Sequence, residues 1–381
     1  MNDARTAIVL AAGASRRMGE LTRERPKSLL PYRGCSVLAR LLGQLGRTSL
    51  ERIVVVVGYQ GAQVRELVQA HAARAAHPAV VVVDNGRYAE DTNIHSMNLA
   101  LAHVTGSVVI FEADTLMEDA MVAYVCGADF EHQSAWFTRG PFLPGMHGGI
   151  VKSDAAGVIT DVRVVPRWEP DLAEHSKMAG IMRICAAQVP AFRGLVAAHA
   201  ARSLAQYFFA PWAEHLQELP SIEADARHYR LRTFNTPEDY ADALTVDFDP
   251  PPAPAVGIDL VAPSLLKHIE GHDEARVDAL LRKVEREGVW TKPLYIERDH
   301  HLVLDGQHRL EVALRLGLAR VPVQRFGYPE VAVWTLRKQE QVDVATVIRR
   351  ANAGQLYPYK TVKHKFPGVI DACQIPLTEL T

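Results

Sequence analysis

Two stretches of this chain have the residue types and spacing that phosphate chemistry uses. The first reads Leu10-Ala-Ala-Gly-Ala-Ser-Arg-Arg-Met-Gly19 and is followed by Arg25-Pro-Lys-Ser-Leu-Leu-Pro31. Small residues at Ala11, Ala12 and Gly13 let the backbone approach a phosphate chain, and the N–H groups of such a turn point at the anion. Arg17 and Lys27 add positive charge at reach. Read alone, the glycines would only relieve strain in a tight turn; the strand before them and Pro26-Lys27 after them favour the anion site. The second stretch reads Leu302-Val-Leu-Asp-Gly-Gln-His-Arg-Leu-Glu-Val-Ala-Leu-Arg-Leu-Gly317. An apolar strand runs into Asp-Gly and a helix opens on Gln-His-Arg, so Asp305, His308 and Arg309 share one strand-to-helix mouth. Backbone donors there can bind an anion, with Arg309 as a planar partner for phosphate oxygens. No spacing suggests a Ser-His-Asp arrangement.

These stretches need a scaffold, and the apolar pattern supplies one. Thr6–Leu10, Ile53–Val57, Ala79–Val83 and Ser107–Phe111 are short apolar runs that read as buried strands. Helical patterns over Val37–Leu45 and Gln63–Ala73 separate them. Such alternation is that of a parallel sheet covered on both faces. Beyond about Phe130 the pattern loosens, and Gly148–Val151 with Val158–Val164 suggests an antiparallel hairpin. A proline-rich stretch, residues 247–257, then reads as a stiff linker. It separates residues 1–246 from residues 258–381. In the second part Asp273–Glu287 is a charged amphipathic helix, Leu294–Ile296 and Leu302–Leu304 suggest a hairpin around Asp299-His300, Gln307–Leu316 is a helix, and Val321 begins another strand.

The first stretch resembles the signature of the nucleotidyltransferases that make sugar nucleotides and CDP-alcohols from an NTP and a phosphorylated acceptor. Val57-Gly-Tyr59 resembles the second-strand turn of that family, and Asn85–Tyr88 with Thr92–Ser96 is similar to a block of its phosphocholine and phosphonate cytidylyltransferase branch. Phe111-Glu-Ala-Asp114 resembles the strand that ends in its metal-binding aspartate. The resemblance implies a Rossmann-like mixed-sheet α/β domain. It implies Ala11, Ala12 and Gly13 beneath the nucleotide, Arg17 and Lys27 on phosphates, and Asn93 and Ser96 near nucleotide or acceptor. Asp114 would bind Mg²⁺. One departure is plain: where the family carries a second metal aspartate, this chain reads Phe234-Asn-Thr-Pro-Glu-Asp-Tyr240. An amide oxygen at Asn235 brings no charge, so the resemblance implies weaker metal binding, with Glu112, Glu223 or Asp225 as candidate helpers. Thr236 with Glu238 and Asp239 reads as a capped helix start.

The second stretch resembles the ParB/sulfiredoxin-like fold, an α+β domain, and within it the free-serine kinase branch. Leu265-Leu-Lys-His-Ile-Glu-Gly-His-Asp273 places Glu270 where those kinases carry a catalytic glutamate, and Leu356-Tyr-Pro-Tyr-Lys-Thr-Val-Lys-His364 is similar to their C-terminal block. By that resemblance Glu270 accepts the hydroxyl proton and Asp305 holds the substrate amine or the metal. His308, Arg309, Lys360 and His364 hold phosphates, and Thr361 or Lys363 the carboxylate. Sulfiredoxin chemistry is not expected, since Gln307 stands where the cysteine would be. The residues after Val321 are too few and too weakly basic for a DNA-reading module.

Composition bounds the rest. With 381 residues, two to three domains are expected. Lys+Arg 42 against Asp+Glu 44 leaves a net charge of -2 and no basic field for nucleic acid. Four scattered cysteines suit a reduced, cytoplasmic setting, and the short apolar N-terminal run reads neither as a signal peptide nor as a membrane span. The combined expectation is a bifunctional enzyme using ATP or ADP to phosphorylate L-serine, and CTP with the O-phosphoserine formed to give CDP-serine. The alternative is a cytidylyltransferase for phosphocholine, phosphoethanolamine or an aminoalkylphosphonate, with a non-catalytic nucleotide-sensing C-terminal domain. Oligomeric state, a homodimer included, is left open.

Overall fold

The computed structural model describes residues 5–74, 77–127, 130, 132–248, 257–335, 337, 339–370 and 372–381. It divides into two compact units, at residue 249/250. The proline-rich stretch falls largely outside the described residues. Its start does not leave the first unit: Phe248 is buried, with its ring edge-on to Tyr32. No helix among the described residues is long and apolar enough to cross a membrane.

The apolar runs of the first half form the centre of a mixed sheet. Strands β1 (Thr6–Ala11), β2 (Arg52–Val57), β3 (Ala79–Asp84) and β4 (Val108–Glu112) are parallel and lie in the order β3-β2-β1-β4. Helices α1 (Val37–Leu45), α2 (Gly61–Ala72) and α3 (Ile94–Leu101) connect them. β1, β2 and β4 are buried, as their β-branched runs require. β3 is only half-buried, against the expectation of a buried strand, because it is the sheet's edge and has a neighbour on one side alone. The small hairpin strand β5 (Thr115–Met117) follows β4. Four antiparallel or late-joining strands then extend the sheet: β6 (Ser134–Pro141), β7 (Gly148–Ser153), β8 (Ile159–Val165) and β9 (Ser176–Ile184). β9 runs antiparallel to β4, and the expected hairpin is β7 with β8. β10 (Ser221–Asp225) pairs with β6, and β11 (Leu231–Thr233) with β5. Helices α4 (Asp119–Cys126), α5 (Val189–Arg202), α6 (Ala210–Glu214) and α7 (Pro237–Thr245) belong to the same unit.

This strand order reverses between β1 and β4. At such a point the connections leave to opposite sides, and a crevice opens at the carboxyl ends of the strands. Gly13 follows β1 and Asp114 follows β4, so the topology brings both to the crevice.

In the second unit β12 (Asp259–Val261), β15 (Val321–Phe326), β13 (Leu294–Glu297) and β14 (Val303–Asp305) form a four-stranded sheet in that order. Helices α8 (Glu274–Glu287), capped by the Asp273 side chain on Arg276 N–H at 3.2 Å, and α9 (Gln307–Arg315) pack beside it. A second apolar cluster gathers Ile269, Tyr295, Leu304, Tyr357 and Val362. A separate ribbon joins β16 (Ala332–Thr335) to β17 (Val362–Lys365).

Gly58 shows why the turn after β2 needs a glycine. A Cβ there would lie 2.6 Å from Tyr88 Cβ and 2.7 Å from the Ala12 carbonyl oxygen. Ala12 is also held by the Tyr59 N–H at 3.0 Å. Gly13, by contrast, has open space where its Cβ would stand. Gly58→Ala should therefore destabilise the protein by about 1–3 kcal/mol in denaturant unfolding, while Gly13→Ala should unfold as the wild type does and lose nucleotide affinity.

Candidate functional site

At the mouth of β1 and β4 lies a cavity of about 780 Å³, lined among others by Ala12, Gly13, Arg17, Lys27, Asn93, Ser96, Asp114 and Asn235. Ala11, grouped with them from the sequence, is instead the last residue of the β1 ladder, paired with Val57 and buried away from the cavity. The charged centre is built from three distant stretches. Pro26 leads into a short 3₁₀ turn that presents Lys27. The Lys27 ammonium pairs with the buried Asp114 carboxylate, and Asn235 Oδ1 lies 3.4 Å from the same Nζ. Arg17 donates to Asn235 Oδ1 at 2.7 Å. Asn235 is placed by backbone contacts: Phe234 N–H donates to the Asp114 carbonyl at 3.1 Å, and Asp239 Oδ2 accepts from the N–H of both Asn235 and Thr236 at 3.0 Å. Helix α7 (Pro237–Thr245) thus begins with the expected capping box, and the cap also fixes a site residue.

Asp114 and Asn235 therefore offer oxygens on a common point already marked by a cation. Asp114 Oδ1 has only a long 3.5 Å contact with the Thr115 hydroxyl. An oxygen-only pair of this kind fits a hard divalent cation such as Mg²⁺. Of the candidate helpers, Glu112 lines the same cavity. Glu223 and Asp225 do not: Glu223 accepts from Thr138 and Ser153, and Asp225 pairs with Arg227. Their strand, β10, joins the sheet beyond β6 and not at the crevice.

Asn93 and Ser96 face the cavity but are committed within the protein. Asn93 Oδ1 accepts from Phe208 N–H at 2.6 Å. Ser96 is buried in a knot with Asn85 (2.9 Å) and Asp91 (2.8 Å), and Asp91 also takes the N–H of His95 and Ser96 at the start of α3. Their evident work is to shape the wall.

Sequence reasoning missed the far wall. Lys177 on β9 and Arg139 on β6 line the cavity, and Lys177 donates to the Gly149 carbonyl at 3.0 Å. Burial, and then the charge of Arg139, bring the Lys177 pKa down to about 8. Burial, and then Asp114, push Glu112 up to about 7. Trp136, Tyr207 and Phe209 add an aromatic side, with Tyr207 and Phe209 stacked at 5.3 Å. These residues come from late antiparallel strands and a loop, and no local pattern marks them.

In the second unit Glu270 is enclosed. Its Oε2 accepts from the N–H of Thr361 (2.9 Å) and Val362 (3.0 Å), and its segment bridges Tyr357. Burial raises its pKa; the amide hydrogen bonds oppose this only in part. The Thr361 hydroxyl is buried without a hydrogen bond among the described residues. Lys360 carries a left-handed backbone, φ 60°, and its ammonium lies over the Tyr359 ring. Lys363 is on β17.

Three expected phosphate ligands are placed otherwise. Arg309 donates to the Pro293 carbonyl and to Asp305 Oδ2, both at 2.7 Å, so its fork ties α9 to the sheet. His308 Nε2 accepts from Asp273 N–H at 3.2 Å, and burial takes its pKa down to about 4. His364 is held at about 4 by burial, against the partial pull of Asp305, and its ring nitrogens lie by the Leu304 backbone without a well-formed hydrogen bond. Both histidines are neutral at pH 7, so neither brings charge to a phosphate.

The first unit's geometry has known counterparts: residues 7–192 match the MobA-like NTP transferase family. That stretch is a MobA-like NTP transferase domain. Its relatives include the CMP-5'-(3-aminopropyl)phosphonate synthase of Streptomyces rubellomurinus, 35% identical over 41% of this chain and 24% of that one. Another is the 2-aminoethylphosphonate cytidylyltransferase of Lancefieldella rimae, 37% identical over 30% of this chain and 44% of that one. The chain thus spans less than half the length of either relative. The transferase domain also shares its fold with a CTP:phosphocholine cytidylyltransferase from Streptococcus pneumoniae: TM-score 0.51, 17% identity, over 63% of this chain and 98% of that chain. The C-terminal region matches a free serine kinase in complex with AMP, at TM-score 0.32 and 16% identity, over 34% of this chain and 96% of that chain.

The wall opposite Lys27 in the transferase domain makes a pH-dependent claim. Lys177 is charged below about pH 8 and neutral above it. Calorimetric binding of a phosphomonoester such as O-phosphoserine should weaken from pH 8 to pH 9 by up to about tenfold. Lys177→Arg should remove that fall, because guanidinium stays charged.

Proposed function

We propose that the chain is a bifunctional enzyme that makes CDP-serine in two steps. In the first, the C-terminal unit phosphorylates L-serine. Glu270 takes the proton of the serine hydroxyl, whose oxygen attacks the terminal phosphorus of ATP or ADP, and the shortened nucleotide leaves. In the second, a phosphate oxygen of O-phosphoserine attacks the α-phosphorus of CTP, and pyrophosphate leaves. A protein nucleophile is not needed for either step.

The observation that carries the two-step reading is the setting of Glu270. A carboxylate with a pKa raised by burial is suited to accept a proton near neutral pH. Two backbone N–H groups hold one of its oxygens, so the orientation is fixed before substrate arrives. The stretches that resemble the free-serine kinases, around residues 265–273, 302–317 and 356–364, meet in one place. His308 takes the Asp273 N–H, Glu270 takes the amides of Thr361 and Val362, and Asp305 acts on His364. Lys360 is assigned to phosphate, and Thr361 or Lys363 to the carboxylate.

In the transferase domain Lys27 and Arg17 neutralise the phosphates of CTP as pyrophosphate departs. Asp114 and Asn235 would hold Mg²⁺, which when bound supplies further charge neutralisation to the phosphate chain. Arg139 and Lys177 attract the anionic acceptor, and Glu112 and the aromatic side suit its ammonium.

A second acceptor class has support of its own. The relatives named for aminoalkylphosphonates, together with the aromatic side of the cavity, favour an amine-bearing phosphonate if the C-terminal unit only senses nucleotide.

Glu270→Gln keeps shape and hydrogen bonding but cannot take a proton. It should fold, fail to turn serine, ATP and CTP into a CDP-product, and recover when O-phosphoserine and CTP are given directly, as read by ³¹P NMR. Serine conversion by Glu270→Gln, or refusal of O-phosphoserine by the wild type, contradicts the two-step reading. Refusal of O-phosphoserine with acceptance of 2-aminoethylphosphonate moves the assignment to the second class.

A further inference from the structure

Beside the segment that carries Glu270, two histidines and a glutamate converge. His268 and His272 flank Glu270 in the chain, and Glu311 stands on α9 one turn after Gln307. One ligand atom from each of His268, His272 and Glu311 lies within 4.8 Å of the others. All three side chains are mostly covered, with 19–22% of their surface exposed.

The protonation of His268 is set by its neighbour. Gln307 Nε2 donates to the Val303 carbonyl at 2.5 Å, which turns Gln307 Oε1 toward His268 Nδ1 at 2.7 Å. That oxygen can only accept, so His268 carries its proton on Nδ1. The lone pair is then on Nε2, which is buried and makes no hydrogen bond among the described residues, 3.9 Å from Glu311 Oε2. A buried polar nitrogen left without a partner calls for an explanation. Glu311 is oriented from behind as well: its Oε1 accepts from Arg315 Nε at 3.0 Å, which leaves Oε2 for the cluster. His272 Nε2 rests 2.9 Å from Glu274 Oε1 at the rim.

Two imidazoles and one carboxylate, with His268 and Glu311 braced through their far atoms, form the donor set that suits zinc-class ions and leaves one position open. We propose that His268, His272 and Glu311 bind one divalent transition-metal ion of the zinc class. Because two ligands bracket Glu270 and the third is on α9, the ion fastens the Glu270 segment to that helix. The reading does not depend on the kinase assignment.

Cobalt(II) titration of the full, tag-free chain, followed by visible absorption, tests this. The wild type should take up one equivalent with the strong d–d bands of a low-coordinate nitrogen and oxygen site, and zinc should displace it. His272→Ala and Glu311→Gln, each checked for folding by circular dichroism, should weaken uptake by about 100-fold or more. Glu311→Gln keeps the shape and the contact with Arg315, so it reports on the ligand where His272→Ala fails to fold. Absence of such bands in the wild type overturns the site. So does undiminished uptake by Glu311→Gln, which would place the cobalt on others of the sixteen histidines.

Discussion

The Lys27 ammonium resting on the Asp114 carboxylate is the contact on which the first unit is organised. Asp114 is almost wholly covered, and removing the partner of a covered charge costs about 3–5 kcal/mol. The pair therefore demands that a turn near the N-terminus, the end of a central strand and a late loop meet to within an ångström or so. The order β3-β2-β1-β4 opens the crevice, the pairing of β11 with β5 delivers Asn235, and the α7 cap holds its backbone. In the proposed transfer reaction the same pair would supply a cation and oxygen donors to the phosphates of the NTP, so that folding and chemistry would make one demand.

The C-terminal unit follows a different rule. Arg309 is tied to Asp305 and the Pro293 carbonyl, and the neutral His308 to the backbone at the α8 cap. Beside them lie a buried carboxylate held by two amides and a buried hydroxyl that has no hydrogen-bond partner among the described residues. In the proposed kinase reaction a carboxylate confined in this way is the base, and the proposed ion would tie its segment to α9.

Much of this was legible in the chain. Runs such as Ile53–Val57 are apolar on both faces, which only a covered parallel strand tolerates, and Gly13 with Lys27 marked the crevice. The half-burial of β3 was not legible, since its residues match those of β2 and differ only in having one neighbour. Arg309 misled for a similar reason. At a helix start it looks like an anion ligand, and only the fold shows Asp305 one turn back and the Pro293 carbonyl beneath it. Lys177, Arg139 and Phe209 carry no local signature because antiparallel strands and a loop far along the chain deliver them. The tautomer of His268 depends on a glutamine thirty-nine positions away.

The central claim is that the Lys27–Asp114 centre performs nucleotidyl transfer to a phosphorylated amino acceptor. Pyrophosphate release by the full chain from CTP, Mg²⁺ and O-phosphoserine, compared between the wild type and Lys27→Met, tests it most directly. The account predicts release by the wild type, and a fall of about 10²-fold or more in the variant, which is less stable but is assayed where circular dichroism shows it folded. Equal release by the folded variant, or none by the wild type with any phosphate or phosphonate acceptor, would contradict it.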